Sequence, residues 1–354
     1  MTSPDPSDAT GSSSGRAAEG VSVVIVAYGP EPWLRRSVEA VLASEGISTQ
    51  VVLVDNGGTD GLVEELAGLD GVTVVDPGGN VGFATGCNYG VAVARSPLVA
   101  LVNPDAIVEP DALAQLARVA QRPQVGIATA SVRLADRRDL LNSAGNDVHF
   151  LGVSWSGCFE EPAAEHAVER PVTAASGAAL MMRRPIWDEM GGLTDEFFAY
   201  YEDAELSLRC WQRELSVVYV PTAVVVHRYE FSRNQLKYHL LERNRLILVL
   251  TTFGSRHLLV MAPAFVTLEL AIVASAAAQG WLGAKVKGYV WLVRHAGWLR
   301  RRRRAVQAAR TVPEAALAPL FTTRLQPGNL PPPRALLPLD RLLRGYWALA
   351  RRLL

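Results

Sequence analysis

Two polar side chains, Asn103 and Asp105, interrupt the apolar run Leu101-Val102-Asn103-Pro104-Asp105-Ala106-Ile107-Val108 on either side of a proline. A carboxylate held where a buried strand emerges at the rim of a sheet is placed to grip a divalent metal and a diphosphate. Asn-Pro-Asp taken alone is equally a turn signature. Two further stretches interrupt strand-like runs in the same way. Asp55-Asn56-Gly57-Gly58-Thr59-Asp60-Gly61 puts two carboxylates and three glycines after a strand, where open α/β sheets bind ligands. Asp55 is suited to accept hydrogen bonds from a base or ribose, and Asp60 or Thr59 is equally suited to cap the helix that begins near Leu62. Asn80-Val81-Gly82 opens a glycine-rich helix start, which lets a phosphate or sugar approach free backbone N–H groups.

These residues need a sheet to carry them. Val21 to Tyr28 is a continuous β-branched run, the signature of a parallel strand buried on both faces. Leu34, Val38, Val41 and Leu42 recur at helical spacing between Glu31 and Ala43, and Val51 to Val54 is a second strand. Strand, helix, strand in that length predicts a βαβ unit with a right-handed crossover. Strands follow at Val72–Val75, Leu98–Val102 and Val125–Val132, with a helix from about Pro110 to Ala120. A dinucleotide-binding enzyme would need G-x-G-x-x-G directly after the first strand, and this chain has Tyr28-Gly29-Pro30-Glu31-Pro32 there.

A chain of 354 residues with a formal net charge of zero has no global attraction to nucleic acid, and none is expected as a partner. Charge is nonetheless uneven, because Trp281 to Val312 holds nine Lys or Arg residues and no acid. Three well-separated cysteines, Cys87, Cys158 and Cys210, argue for a reducing compartment over a disulfide framework. Residues 1–20 are too polar to fold and show no export signal, so they are expected to form a disordered tail.

The ordered set VSVVIVAY, VDNGGTDG, NVGFATGCNYG and LVNPDAIV resembles the inverting glycosyltransferases of family 2, especially their rhamnosyltransferase-like branch. Ser176 to Arg184, Gly191 to Asp203 and His227 extend the likeness, which covers roughly residues 21–250. The resemblance implies an α/β GT-A fold over residues 21–255, Rossmann-like, with a mixed, mostly parallel sheet flanked by helices. It also implies a donor site drawn from Tyr28, Asp55, Asn56, Asp60, Asn80, Gly82 and Asn103, with Asp105 as the acidic metal position for Mn2+ or Mg2+. Where relatives often have Asp-X-Asp, this chain has Asn103 first, so the metal is assigned to Asp105.

Inverting transfer needs charge neutralisation on the departing nucleoside diphosphate and a base for the acceptor hydroxyl. Glu202-Asp203 offers the base. Leu206, Cys210 and Trp211 recur at helical spacing, so Asp203 falls in a first helical turn, where the dipole favours the ionised form. The plainer reading is acidic decoration of a helix start. The resemblance selects Asp203 as base, with Glu202 positioning acceptor or base. It likewise makes His227 the second metal ligand, although a histidine ending an apolar strand is commonly structural. Arg243 and Asn244 match a pair that follows the domain in relatives, and Arg243 is either a phosphate contact or part of a solvated helix face.

Leu258 to Ala278 is 21 residues with one charge, Glu269, long enough for a single bilayer span. Basic residues on both flanks instead favour helices lying in the cytoplasmic leaflet, with Trp281, Trp291 and Trp298 at headgroup depth and Arg300 to Arg304 on anionic lipid. Residues 256–325 are thus expected to form a helical membrane-associated region, and 326–354 a proline-rich linker and a basic amphipathic helix with Tyr346 and Trp347. The expected function is sugar transfer, with rhamnose the expected sugar, from a dTDP- or UDP-linked donor to a polyprenyl-linked or cell-envelope glycan at the cytoplasmic membrane face. The rival is a catalytically silent scaffold of the same fold that recruits other proteins to the membrane.

Overall fold

The computed structural model describes residues 20–228, 234–325, 328 and 337–354. Residues 1–19 of the expected polar tail and most of the expected proline-rich linker lie outside the described residues.

The first half follows the predicted alternation: β1 (Val21–Ala27), α1 (Leu34–Leu42), β2 (Thr49–Asp55), α2 (Leu62–Leu66), β3 (Val72–Val75), α3 (Phe83–Val93) and β4 (Leu98–Val102). β1 lies between β2 and β4, with β3 outside β2, all parallel. Its seven residues are buried because both faces of the sheet are covered. Val21, Val23 and Ile25 pack in one core with Leu34, Val38 and Val41 of α1, while Val24 and Val26 pack in the other with Ala84, Cys87 and Val91 of α3. α3 lies so close that a Cβ on Gly90 would stand 2.4 Å from Val24.

The second half comprises β5 (Ala106–Val108), α4 (Ala112–Ala120), β6 (Val125–Leu134), β7 (Leu141–Ser143), β8 (Asn146–Val148), β9 (Ser154–Ser156), β10 (Arg170–Pro171), β11 (Ala179–Arg183), α5 (Arg184–Met190), α6 (Glu202–Trp211) and β12 (Ser216–His227). β11 enters antiparallel between β4 and β6, and β12 runs parallel to β6, giving the order β10-β12-β6-β11-β4-β1-β2-β3. This is a mixed, mostly parallel sheet of the expected GT-A type. β12 shifts register between Val220 and Val224, then pairs with β5 so that His227 stands opposite Ala106. That pairing brings the Asn-Pro-Asp rim to the end of β12. β8 and β9 form a separate hairpin carrying Trp155.

Six helices follow: α7 (Gln235–Thr252), α8 (Ser255–Ala278), α9 (Leu282–Arg294), α10 (Ala296–Ala308), α11 (Glu314–Leu317) and α12 (Leu337–Ala350). They do not form a separate region. Ile247 and Leu248 of α7, Met261 and Leu268 of α8, Leu299 of α10 and Trp347 of α12 share one core with Phe150, Phe197, Tyr201 and Leu208 of the sheet domain.

This packing corrects three membrane expectations. Trp281 is buried and stacked on Tyr238 at 4.9 Å, so it does not sit at headgroup depth. Trp347 stacks on Phe150 at 4.6 Å, and the Tyr346 hydroxyl donates to the Val260 carbonyl, so both aromatic residues of α12 face inward. The arginine run divides as well. Arg302 pairs with Glu205 at 2.8 Å, Arg303 donates to the Leu250 and Phe253 carbonyls, and Arg300, Arg301 and Arg304 are exposed. Five consecutive helical residues spread around the whole circumference, so they cannot share one face.

Candidate active site

The β5–β12 pairing places His227 Nε2 3.1 Å from Asp105 Oδ1 and 3.4 Å from Asn103 Nδ2. His227 Nδ1 lies 3.0 Å from Asn142 Oδ1. Assigning the ring hydrogen from that contact puts it on Nδ1, donating to Asn142. Nε2 and the Asp105 carboxylate thus stand side by side at the rim of the sheet, where together they would hold a divalent cation. One carboxylate and one imidazole, with diphosphate and water oxygens completing the shell, is a donor set that fits Mn2+ or Mg2+. Asn103 carries the turn: its N–H donates to Ala178 and its carbonyl accepts from Ala106.

A cavity of about 490 Å³ is lined by Asn103, His227, Glu202 and Asp203, with Trp155, Tyr200 and Tyr201 among its walls. Asp203 stands at the start of α6. Its Oδ2 accepts from the Gly177 N–H at 2.9 Å and the Asn146 amide at 3.0 Å, and its Oδ1 accepts from the Ala204 N–H at 2.7 Å. Burial nevertheless raises its pKa, so desolvation outweighs the dipole effect expected from the helix start. Glu202 is pushed up to about 8, first by burial and then by the Asp203 charge. Its Oε2 is buried with no hydrogen-bond partner among the described residues. Three donors hold the charge on Asp203, and none holds it on Glu202 Oε2. Within the pair the proton is therefore favoured on Glu202 and the charge on Asp203.

On the donor side, several expected contacts are committed to the protein itself. Asp55 Oδ1 accepts from the Gly57 and Gly58 N–H groups at 3.2 and 2.8 Å, and Oδ2 has no protein partner among the described residues. Tyr28 is exposed beside Gly57, whose Cβ position lies 3.7 Å from the ring. Asn56 is buried, donating to Asn80 Oδ1 at 3.1 Å and accepting from the Val81 N–H at 2.8 Å. Asn80 Oδ1 also accepts from the Gly82 N–H at 3.0 Å. Asn56 and Asn80 thus clasp the end of β2 to the entrance of α3, in place of the donor contact expected of Asn56. Gly82, at φ +86°, has its missing side chain replaced by Phe198, 2.5 Å from where a Cβ would stand. The close approach expected for a phosphate is made here by an aromatic residue. Asp60 is exposed and accepts from the Leu62 N–H at 3.3 Å in the turn before α2, whose cap position is Gly61, so the expected cap by Asp60 or Thr59 is not formed.

Arg243 also differs from expectation. Its Nη2 donates to the Glu196 and Phe197 carbonyls at 2.7 and 2.9 Å, and its Nε donates to Asn244 Oδ1. Asn244 in turn donates to the carbonyls of Phe197, Ala199 and Tyr200 at 2.8 to 2.9 Å. These donors face backbone oxygens instead of a phosphate. The loop they hold contains Phe198, Tyr200 and Tyr201 at φ of +64°, +72° and +74°, each costing about 1–3 kcal/mol outside glycine. Arg243 and Asn244 stabilise the strained loop that delivers Glu202 and Asp203.

Sequence reasoning missed Asn142, Asn146, Trp155, Lys237 and Glu242, and left Gly177 without a role. The first three lie in or beside strands of three residues, too short to show a period. Lys237 and Glu242 sit on α7, where Leu241 marks the face that lines the cavity.

Residues 18–247 match the family described as glycosyltransferase-like family 2. The chain belongs to that family. This glycosyltransferase is 29% identical over 230 residues to the N-acetylglucosaminyl-diphospho-decaprenol L-rhamnosyltransferase of Mycobacterium tuberculosis, covering 58% of this chain and 75% of that protein. It is 24% identical over 212 residues to the low-salt glycan biosynthesis hexosyltransferase Agl10 of Haloferax volcanii, covering 58% and 66%. Solved structures of the same fold include GalNAc-T7 with UDP, GalNAc and Mn2+, at TM-score 0.58 and 15% identity over 71% of this chain. The glycosyltransferase spans about half of that structure, 51%. The mannosyltransferase PcManGT of Pyrobaculum calidifontis, with GDP-Man and Mn2+, gives 0.51 and 17% over 82% of this chain and 85% of that one.

Proposed function

We propose that this glycosyltransferase is metal-dependent and inverting, and that it moves a sugar, expected to be rhamnose, from a nucleoside-diphosphate donor to a lipid-linked or cell-envelope glycan acceptor. The observation that carries the reading is one cavity lined both by His227, which stands 3.1 Å from Asp105, and by a buried, hydrogen-bonded Asp203. Asp105 and His227 would hold Mn2+ or Mg2+, which supplies charge neutralisation for the departing diphosphate. Asp203 takes the proton of the acceptor hydroxyl as its oxygen bonds to the anomeric carbon and the bond to the diphosphate breaks on the opposite face. Glu202, carrying its own proton, keeps a second negative charge away from that step. Asn146 and Gly177 orient Asp203 by their hydrogen bonds.

The donor is expected to be dTDP- or UDP-linked, with Asp55 and Tyr28 at the nucleotide end. The mycobacterial relative is named for an acceptor on diphospho-decaprenol, and that similarity supports a polyprenyl-linked acceptor at the cytoplasmic membrane face. α8 has 24 residues and is apolar and long enough to meet a membrane. Asp203→Asn is the direct test of the chemistry: transfer is abolished while donor binding persists. Full transfer by that variant would remove Asp203 as the base.

A further inference from the structure

α8 divides cleanly around its circumference. Met261, Ala264 and Leu268 face the shared core, and Leu259, Val266 and Leu270 are exposed on the opposite side at 76%, 55% and 65%. α9 repeats the pattern with exposed Val286, Val290 and Val293, and α12 with exposed Leu342 and Leu349, followed by exposed Leu353 in the turn after it. The three elements are neighbours. Tyr346 bonds the Val260 carbonyl, and Lys285 and Tyr289 of α9 bond Glu269 of α8 at 2.6 and 2.5 Å.

The charges around these apolar rows have one free sign. Lys287, Arg294, Arg341 and Arg351 are exposed, among others. Residues 255–325 and 337–354 contain three acids, and each is engaged internally: Glu269 by Lys285, Glu314 by Arg310 and the His257 N–H, Asp340 by Arg344 and the Leu325 N–H.

Glu269, the one acid of α8, fixes its orientation. It pairs with Arg245 of α7, whose side chain is 1% exposed, and with Lys285 of α9. Arg245 and Lys285 also pair with Glu242, which lines the active-site cavity. A bilayer-spanning α8 would break this cluster and carry an unpaired carboxylate into hydrocarbon. We propose that α8, α9 and α12 form one surface that lies in the plane of an anionic bilayer, and that the Glu242–Arg245–Glu269–Lys285 cluster fixes this plane to the cavity wall. An acceptor anchored in that bilayer then meets Asp203 at a set height.

The test uses the full chain and has three arms. Without any nucleotide sugar, the protein should sediment with phosphatidylcholine vesicles containing phosphatidylglycerol and far less with phosphatidylcholine alone. The pair Val266→Asp and Leu270→Asp should abolish sedimentation with an unchanged melting temperature. Charge-independent binding would overturn the assignment, as would undiminished binding by the pair, or a dimer that the pair dissolves in a protein that ignores vesicles.

In a Cys158→Ser background, Arg256→Cys and Gln279→Cys should both react with an impermeant maleimide on preformed vesicles, and protection of either end would show a span and overturn the in-plane orientation. Glu269→Gln should keep vesicle binding and donor hydrolysis, yet lose about tenfold or more in transfer to a vesicle-borne lipid diphosphate saccharide relative to a water-soluble acceptor. Equal loss on both acceptors would reduce the cluster to a fold element. This last arm rests on the glycosyltransferase reading, whereas the sedimentation and labelling arms do not, so the two can fail separately.

Discussion

The two ends of the sheet use their polar side chains differently. Around β2 and α3, Asn56 and Asn80 meet each other and the Val81 and Gly82 N–H groups, and Asp55 accepts from its own turn. Around β5, β12 and α6, titratable side chains are gathered at and beside the cavity. His227 Nε2 lies against Asp105, and Glu202 Oε2 has no hydrogen-bond partner among the described residues. Buried polar groups are ordinarily satisfied, so the buried, unpartnered Glu202 Oε2 beside Asp203 marks where a ligand or a reaction completes the bonding. The first region gives the site its shape, and the second supplies its chemistry.

Variants should separate the regions, and the largest effect belongs to the chemical end. Asp203→Asn removes the base and should lower the transfer rate by about 10²–10⁴-fold, read as product formed per enzyme with donor affinity unchanged. A comparable loss of donor affinity would place Asp203 on the donor side of the site. Next is the strained loop. Asn244→Ala removes the amide whose two N–H donors are shared among the carbonyls of Phe197, Ala199 and Tyr200, so the turn delivering Asp203 relaxes. Its kcat should fall by roughly 10²-fold with nucleotide affinity retained. Were Arg243 a phosphate ligand, Arg243→Ala would raise the donor Kd instead.

Glu202→Gln probes the cost of the unsatisfied pair. Glu202 is held at about 8 against an ordinary 4.5. Between those values the unfolded chain has released the proton and the folded chain has kept it. Native stability therefore falls as pH rises through that window and levels off above it. Glu202→Gln should be more stable than the parent by a margin that grows from pH 4.5 to pH 8, reaching a few kcal/mol by order of magnitude. A pH-independent margin in thermal melts would contradict the raised pKa. The smallest effect on activity belongs to the clasp. Asn56→Ala leaves buried partners unmet and should cost about 1–3 kcal/mol of stability, with little change in kcat. A large kcat loss at unchanged stability would erase the distinction between the two regions.

The same contrast explains what could be read from the sequence. β1 to β4 and their helices were readable because each strand is a run of Val, Leu and Ile and each helix keeps one apolar stripe. Asp105, Asp203 and His227 stood out as polar residues at the ends of apolar runs. Asn142 and Asn146 gave no such signal, because β7 and β8 are three residues long and owe their place to pairing with distant strands. Arg243 and Gly82 were read for their residue types, which suit a phosphate, whereas their partners are Phe197 and Phe198, more than forty residues away in sequence. Three aromatic residues of the tail were misread for another reason. The tail's composition matches a membrane helix, but Trp281, Tyr346 and Trp347 are committed to packing that no local pattern reveals.

The most direct test of the central claim is thermal shift of the wild type and Asp105→Ala against dTDP-rhamnose, UDP-sugars and GDP-sugars, with NAD as control, each with and without Mn2+ or Mg2+. The account predicts that one class of nucleotide sugar raises the melting temperature only when metal is present, and that Asp105→Ala loses this shift. Stabilisation of equal size without metal would contradict the Asp105–His227 site. Silence toward every nucleotide sugar would contradict the enzyme itself and leave a scaffold that keeps the fold.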